Sequence, residues 1–200
     1  MMRDKVSFGR ALKLFWSNYV NFKGRSRRSE YWYATLWNLI FVIPGLIGLF
    51  IGFMFAMIGS ASHDEAALTI GGSLLILGYL YCIIFALATL IPNLAILVRR
   101  FHDLSFSMWL PISGVIVIFI VNVTANIISL NDKWSDNGFV LLLLYILLAI
   151  QWIYSVILLV MVCLNGKKET NKYGPSPKFT EYATNYEGKN HNPVDKAKTN

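Results

Sequence analysis

A chain of 200 residues holds about one domain. Its hydrophobic share of 56% and mean hydropathy of +0.51 exclude an ordinary soluble globular protein. The net charge of +7 suits anionic surfaces, but no nucleic-acid-binding fold accompanies it, so nucleic acid is not an expected partner.

Residues 1–30 carry ten charges and do not read as a cleavable signal peptide, whose apolar stretch is short and flanked differently. Within them, Phe8, Leu12, Phe15, Tyr19 and Phe22 recur at spacings of four and three, which puts them on one helical face. Arg10, Lys13, Ser17 and Asn21 fall elsewhere, and Ser7 is placed to cap the start. The pattern predicts an amphipathic helix over residues 6–22, lying on the membrane surface or packed on the ends of the spans. Lys23-Gly24 ends it, and Ser26 starts the next helix.

Four uncharged apolar stretches follow: Tyr31 to His63, Ala66 to Val98, Leu104 to Asn131 and Asn137 to Gly166. A helix crosses the hydrocarbon core with about 20 apolar residues, and each stretch is longer. None shows the strict alternation of barrel strands. Four membrane helices are predicted at about 32–58, 68–98, 108–130 and 139–164. In the first, Gly48, Gly52, Ala56 and Ser60 form a small-residue stripe suited to close packing inside the bundle or to a dimer seam. In the second, Pro92 invites a kink, with Asn93 beside it as a candidate partner for the freed carbonyl. Cys82 and Cys163, each within an apolar stretch, read as packing thiols rather than a disulfide. After Gly166 the composition turns polar, and residues 179–200 read as a disordered tail. The expected fold is thus an all-α membrane protein: four transmembrane helices, an interfacial N-terminal helix and a disordered C-terminal tail, with residues 1–178 as the membrane domain.

Lys and Arg sort sharply along this pattern. Residues 1–30 hold eight, residues 99–103 two and residues 165–200 seven, against Lys133 alone in the other two connections. Basic residues near spans stay cytoplasmic, so both termini and the middle connection are expected in the cytoplasm.

Three polar segments then share one membrane surface. They are Gly24-Arg25-Ser26-Arg27-Arg28-Ser29-Glu30-Tyr31-Trp32, Arg99-Arg100-Phe101-His102-Asp103 with Trp109 beyond, and Gly166 through Asn171-Lys172-Tyr173-Gly174-Pro175. Over roughly residues 8–178, these motifs in this order resemble the DUF805 family of bacterial integral membrane proteins of uncharacterised function. The matching positions are Gly24, Arg25, Arg28, Glu30, Tyr31 and Trp32; Arg99, Arg100, His102, Asp103 and Trp109; and Asn171, Tyr173, Gly174 and Pro177. The turn Leu104-Ser105-Phe106-Ser107 departs from the family's usual one. The resemblance implies membership and location, in a bacterial inner or plasma membrane, and carries no activity.

Physically, Glu30 and Asp103 are the acids among Arg25, Arg27, Arg28, Arg99 and Arg100. Arg99 and Asp103 are four apart and can pair on one helix; Arg25 or Arg28 can instead reach Asp103 across helices, with Glu30 answering Arg99 or Arg100. One reading is a clamp between the first and second spans. The other is a site for an anionic lipid headgroup or a protein partner, built from Arg25, Arg28, Glu30, Trp32, Arg99, Arg100, His102, Asp103 and Tyr173. His102 and Asp103 have too few companion ligands for a metal centre, and nothing marks an oxyanion hole for a nucleophile. No cofactor is expected. The apolar stretches carry no ionisable residue of the kind that marks a transport path. A structural or interaction role is therefore favoured, with a small oligomeric transporter or channel as the alternative and a membrane-embedded enzyme behind it. The partners expected are membrane lipids, and a second copy or another membrane protein.

Overall fold

The computed structural model describes residues 6–178, and the tail expected to be disordered lies outside them. Among the described residues the chain is helical, apart from an isolated bridge between Asn171 and Gly174. The helices are α1 (Phe8–Ser17), α2 (Arg28–Ser62), α3 (Glu65–Asp103), α4 (Trp109–Ser129), α5 (Asp132–Ser135) and α6 (Gly138–Cys163). α2, α3, α4 and α6 are each long and apolar enough to cross a membrane, at 35, 39, 21 and 26 residues. At 1.5 Å per residue α3 is about 58 Å long, far beyond a hydrocarbon core of about 30 Å. Its charged last turn therefore extends past the apolar stretch that ends at Val98. Two compact units divide the chain, one holding residues 6–21 and 29–95, the other residues 22–28 and 96–178.

In the first unit, Ser7 caps α1 by accepting a hydrogen bond from the Arg10 amide at 3.4 Å. The helix stops at Ser17 instead of continuing to residue 22. Asn18 turns back there, donating to the Leu14 carbonyl from its backbone at 3.1 Å and its side chain at 2.9 Å. Ala11 and Phe15 are buried. Phe8 stacks on Trp37 at 4.3 Å, and the Trp37 indole donates to the Phe8 carbonyl at 3.0 Å. Part of the apolar face of α1 thus rests on α2, while Trp16 and Val20 remain exposed.

α2 and α3 form a hairpin through His63 and Asp64, and the Asp64 carboxylate accepts from the Ala66 and Ala67 amides. Their seam is built on glycine. A Cβ at Gly52 would meet Leu75 N at 2.8 Å, one at Gly71 would meet Ala56 N at 2.5 Å, and one at Gly78 would meet Leu49 N at 2.9 Å. Gly45, Gly52 and Gly59 are buried at intervals of seven. The seam includes Gly48, Gly52 and Ala56 but leaves Ser60 exposed. A contact sustained over many turns follows a repeat of 3.5 residues per turn, so a strict four-residue stripe drifts off it.

Pro92 lacks an amide hydrogen, which leaves the carbonyl four residues earlier, that of Ala88, without its helical donor. The Tyr19 hydroxyl donates to that carbonyl at 2.7 Å. Asn93, the partner expected from sequence, instead accepts from the Asn38 side chain at 3.0 Å and ties α3 to α2. A tyrosine from beyond α1 does what the neighbouring amide was expected to do, because the Asn93 side chain is already held by Asn38.

In the second unit, α4 packs on α6 where Gly114 leaves no room for a side chain: a Cβ there would meet Leu158 at 2.7 Å and Tyr154 at 2.8 Å. The Tyr154 hydroxyl donates to the Leu110 carbonyl at 2.9 Å. Asn137 caps α6, its side-chain oxygen accepting from the Phe139 and Val140 amides. Between α3 and α4 the chain turns through Ser105, whose φ of 70° lies in the left-handed region. Beyond α6, residues 164–178 fold back as an irregular segment beside the end of α3.

Candidate functional site

Everything in the described cluster belongs to the second unit. Its centre is Asp103, the last residue of α3, whose carboxylate lies between two buried guanidinium groups. Arg100 Nη1 donates to Oδ2 at 2.6 Å, and Arg25 pairs with Oδ1 at 2.9 Å. Their side chains are 0% and 1% exposed, and that of Asp103 6%. On α3 the acid therefore pairs with the residue three positions back, Arg100. Arg99 is also buried, and its carbonyl accepts from the Ser26 amide at 3.1 Å, fastening the 22–28 loop to the helix.

Both guanidinium groups then reach backbone carbonyls. Arg25 Nη1 donates to Glu169 O at 2.8 Å and Gly174 O at 3.3 Å, while Nη2 donates to Asp103 O at 3.4 Å and to Lys167 O. Arg100 Nε donates to Val162 O at 3.1 Å and its Nη2 to Leu164 O. Val162 and Leu164 lie at the end of α6, where helical carbonyls lose their own donors and carry partial negative charge. Arg100 thereby caps α6, and Arg28 joins it by donating to Cys163 O at 3.2 Å. Arg27 reaches Pro177 O at 2.5 Å. A planar group with five donors fits this use, and a lysine ammonium would not.

The returning segment is fitted closely. The Lys167 amide donates to Asp103 O at 3.0 Å. A Cβ at Gly166 would fall on the Asp103 carboxylate, so only glycine permits this approach. Asn171 donates from its side chain to His102 O at 2.9 Å and Ser105 Oγ at 3.0 Å. Tyr173 stacks on the His102 ring at 3.7 Å with 6° between planes. His102 Nδ1 lies 3.2 Å from Gly24 O, which fixes Nδ1 as the protonated nitrogen of the neutral ring.

Of the residues expected from sequence, Arg25, Arg28, Arg99, Arg100, His102, Asp103 and Tyr173 thus come together in one unit. Glu30 and Trp32 belong to the other: Glu30 is buried there, and Trp32, 39% exposed, lies edge-on to Tyr31 at 5.6 Å. Sequence reasoning had Ser26 and Gly166 within the converging segments but gave neither a role in the cluster, and it missed the carbonyls of residues 162–174. Gly166 carried a faint signal, as a glycine at the boundary between apolar and polar composition; the carbonyls carried none, because every residue has one. Among the described residues no group of three His, Cys, Asp or Glu is placed to hold a metal ion. Chemically the arrangement matches the guanidinium donors of Arg25 and Arg100 to internal acceptors, while Ser26 Oγ and His102 Nε2 are buried with no hydrogen-bond partner among the described residues.

Comparison with known proteins agrees with these motifs. Inner membrane protein YhaI of Escherichia coli K12 is 30% identical over 162 residues, covering 81% of this chain and 90% of YhaI. Inner membrane protein YhaH of the same organism is 28% identical over 163 residues, covering 81% of this chain and 91% of YhaH. No solved structure matches. The family model described as a protein of unknown function, DUF805, matches residues 19–175, and the chain, a multi-pass membrane protein with four apolar helices, belongs to that family.

Proposed function

We propose that the protein is a structural or interaction component of the inner membrane, with both termini in the cytoplasm. In this reading the Arg25–Asp103–Arg100 cluster is a clamp that holds residues 164–178 against the end of α3. The observation that carries it is the fate of the guanidinium donors: each nitrogen of Arg25 and of Arg100 already donates to an oxygen of the protein. Groups so committed have little left for a headgroup. Anionic phospholipid then falls to the exposed Lys167, Lys168 and Lys172 on the segment that the clamp positions, each contributing about 1 kcal/mol near a charged surface. Orientation rests on the basic asymmetry along the chain, and the exposed Trp16 and Val20 of the α1 region support a helix at the interface.

Two variants separate clamp from binding site. Asp103→Asn leaves two buried arginines short of their counter-charge, and should lower thermal stability in detergent. The triple change K167Q/K168Q/K172Q should lower stability less than Asp103→Asn does, since Lys172 lies over the Tyr173 ring at 4.9 Å, and should reduce phosphatidylglycerol retained on purification, read by lipid mass spectrometry. Unchanged stability in Asp103→Asn together with loss of bound lipid would instead make the arginines the lipid site.

A further inference from the structure

We propose that α4 is the homodimer helix of this protein, joining α4 of a second copy through Asn122 and Asn126. α4 carries two adjacent seams. One, with Pro111, Gly114 and Val121 buried, is the face that meets Tyr154 and Leu158 of α6. The other runs through Val115, Phe119, Asn122, Asn126 and Ser129, also at alternating spacings of four and three, and from Phe119 onward each of its residues is exposed. Equal repeats mean that the second seam is as fit for a long helix contact as the first.

Its composition says what covers it. Asn122 lies seven residues before the end of α4, about 10 Å inside a helix that is itself about as long as the hydrocarbon core is thick. Each asparagine donates one amide hydrogen back to its own helix, Asn122 to Ile118 O at 2.7 Å and Asn126 to Asn122 O at 2.8 Å. The side-chain oxygens and second hydrogens have no partner among the described residues. Lipid tails offer neither donor nor acceptor, so a primary amide left there is costly. Of the chain's other deep amides, Asn38 donates to Asn93, and Gln151, whose Oε1 is buried without a hydrogen-bond partner among the described residues, is on the face of α6 with Tyr154 and Leu158, which meets the Gly114 seam of α4 and not this one. An amide is both donor and acceptor and so complements its own copy across a two-fold axis. A single polar asparagine in an apolar seam sets register and partner number in this way.

Cysteine cross-linking in native membranes tests it. In a C82A/C163A background, Asn126→Cys and Asn122→Cys should form covalent dimers on oxidation, and Ile127→Cys, exposed on a different face, should not. Equal cross-linking at all three positions, none at either asparagine position, adducts within one chain, or adducts with a different protein would each overturn the proposal. The variant N122L/N126L is more apolar and should insert normally, while its dimer in mild detergent should dissociate roughly tenfold more readily. N122Q/N126Q should retain association. A leucine variant that dimerises as well as the parent would equally contradict the amide seam.

Discussion

Asp103 shows how far a motif can be understood before its geometry is known. An acid among arginines at the edge of hydrocarbon must be paired, and that much follows from residue type and position. Which arginine pairs is a matter of rotamer and of what else competes for the donors. Arg100 points at both Asp103 and the carbonyl end of α6, whereas the Arg99 carbonyl holds the 22–28 loop; no spacing rule separates these two uses. The role of Gly166 was still less visible, since it depends on the Asp103 carboxylate arriving from a residue 63 positions earlier. It yields a direct test. Gly166→Ala places a methyl group where that carboxylate stands, and should destabilise the protein by about 1–3 kcal/mol, as overpacking does. The check is thermal unfolding in detergent, with Gly174→Ala, where a Cβ meets nothing within 4 Å, as a comparison that reports only the backbone strain of a positive φ.

At the scale of elements, the four membrane helices were legible because length and apolar composition suffice to define them. Their ends and their contacts were less so. α1 stops at Ser17, where Asn18 folds its side chain onto the Leu14 carbonyl beside its own amide, and such a side-chain cap leaves no mark in an apolar periodicity. The small-residue stripe of α2 was readable as a close-packing face, but the glycines of α3 that meet it were not singled out, and the repeat of seven emerged only when the two helices were seen together. Pro92 illustrates the same limit, as its freed carbonyl is served from outside the helix by Tyr19. Tyr19→Phe removes that hydroxyl and leaves the Ala88 carbonyl without a donor in apolar surroundings. It should cost about 1–3 kcal/mol, measured by unfolding, and Pro92→Ala should recover most of it by restoring the helical amide. Failure of the proline replacement to rescue would show that the hydroxyl matters for another reason.

For the molecule as a whole, the account joins a charge rule to a packing arrangement. The proposed orientation puts the basic ends of the spans in the cytoplasm, and the packing arrangement gathers Arg25, Arg100 and Asp103 with the returning segment at one such end. In that proposal the lysines of the segment are presented to the inner leaflet. Side-specific labelling of single cysteines in intact cells and in inverted vesicles, in a C82A/C163A background, tests this most directly. Lys172→Cys should react with a membrane-impermeant maleimide only in inverted vesicles, and Asp136→Cys, in the connection between α4 and α6, only in intact cells. Labelling of Lys172→Cys from outside intact cells would contradict the orientation and, with it, the placing of the clamp and its lysines at the cytoplasmic leaflet.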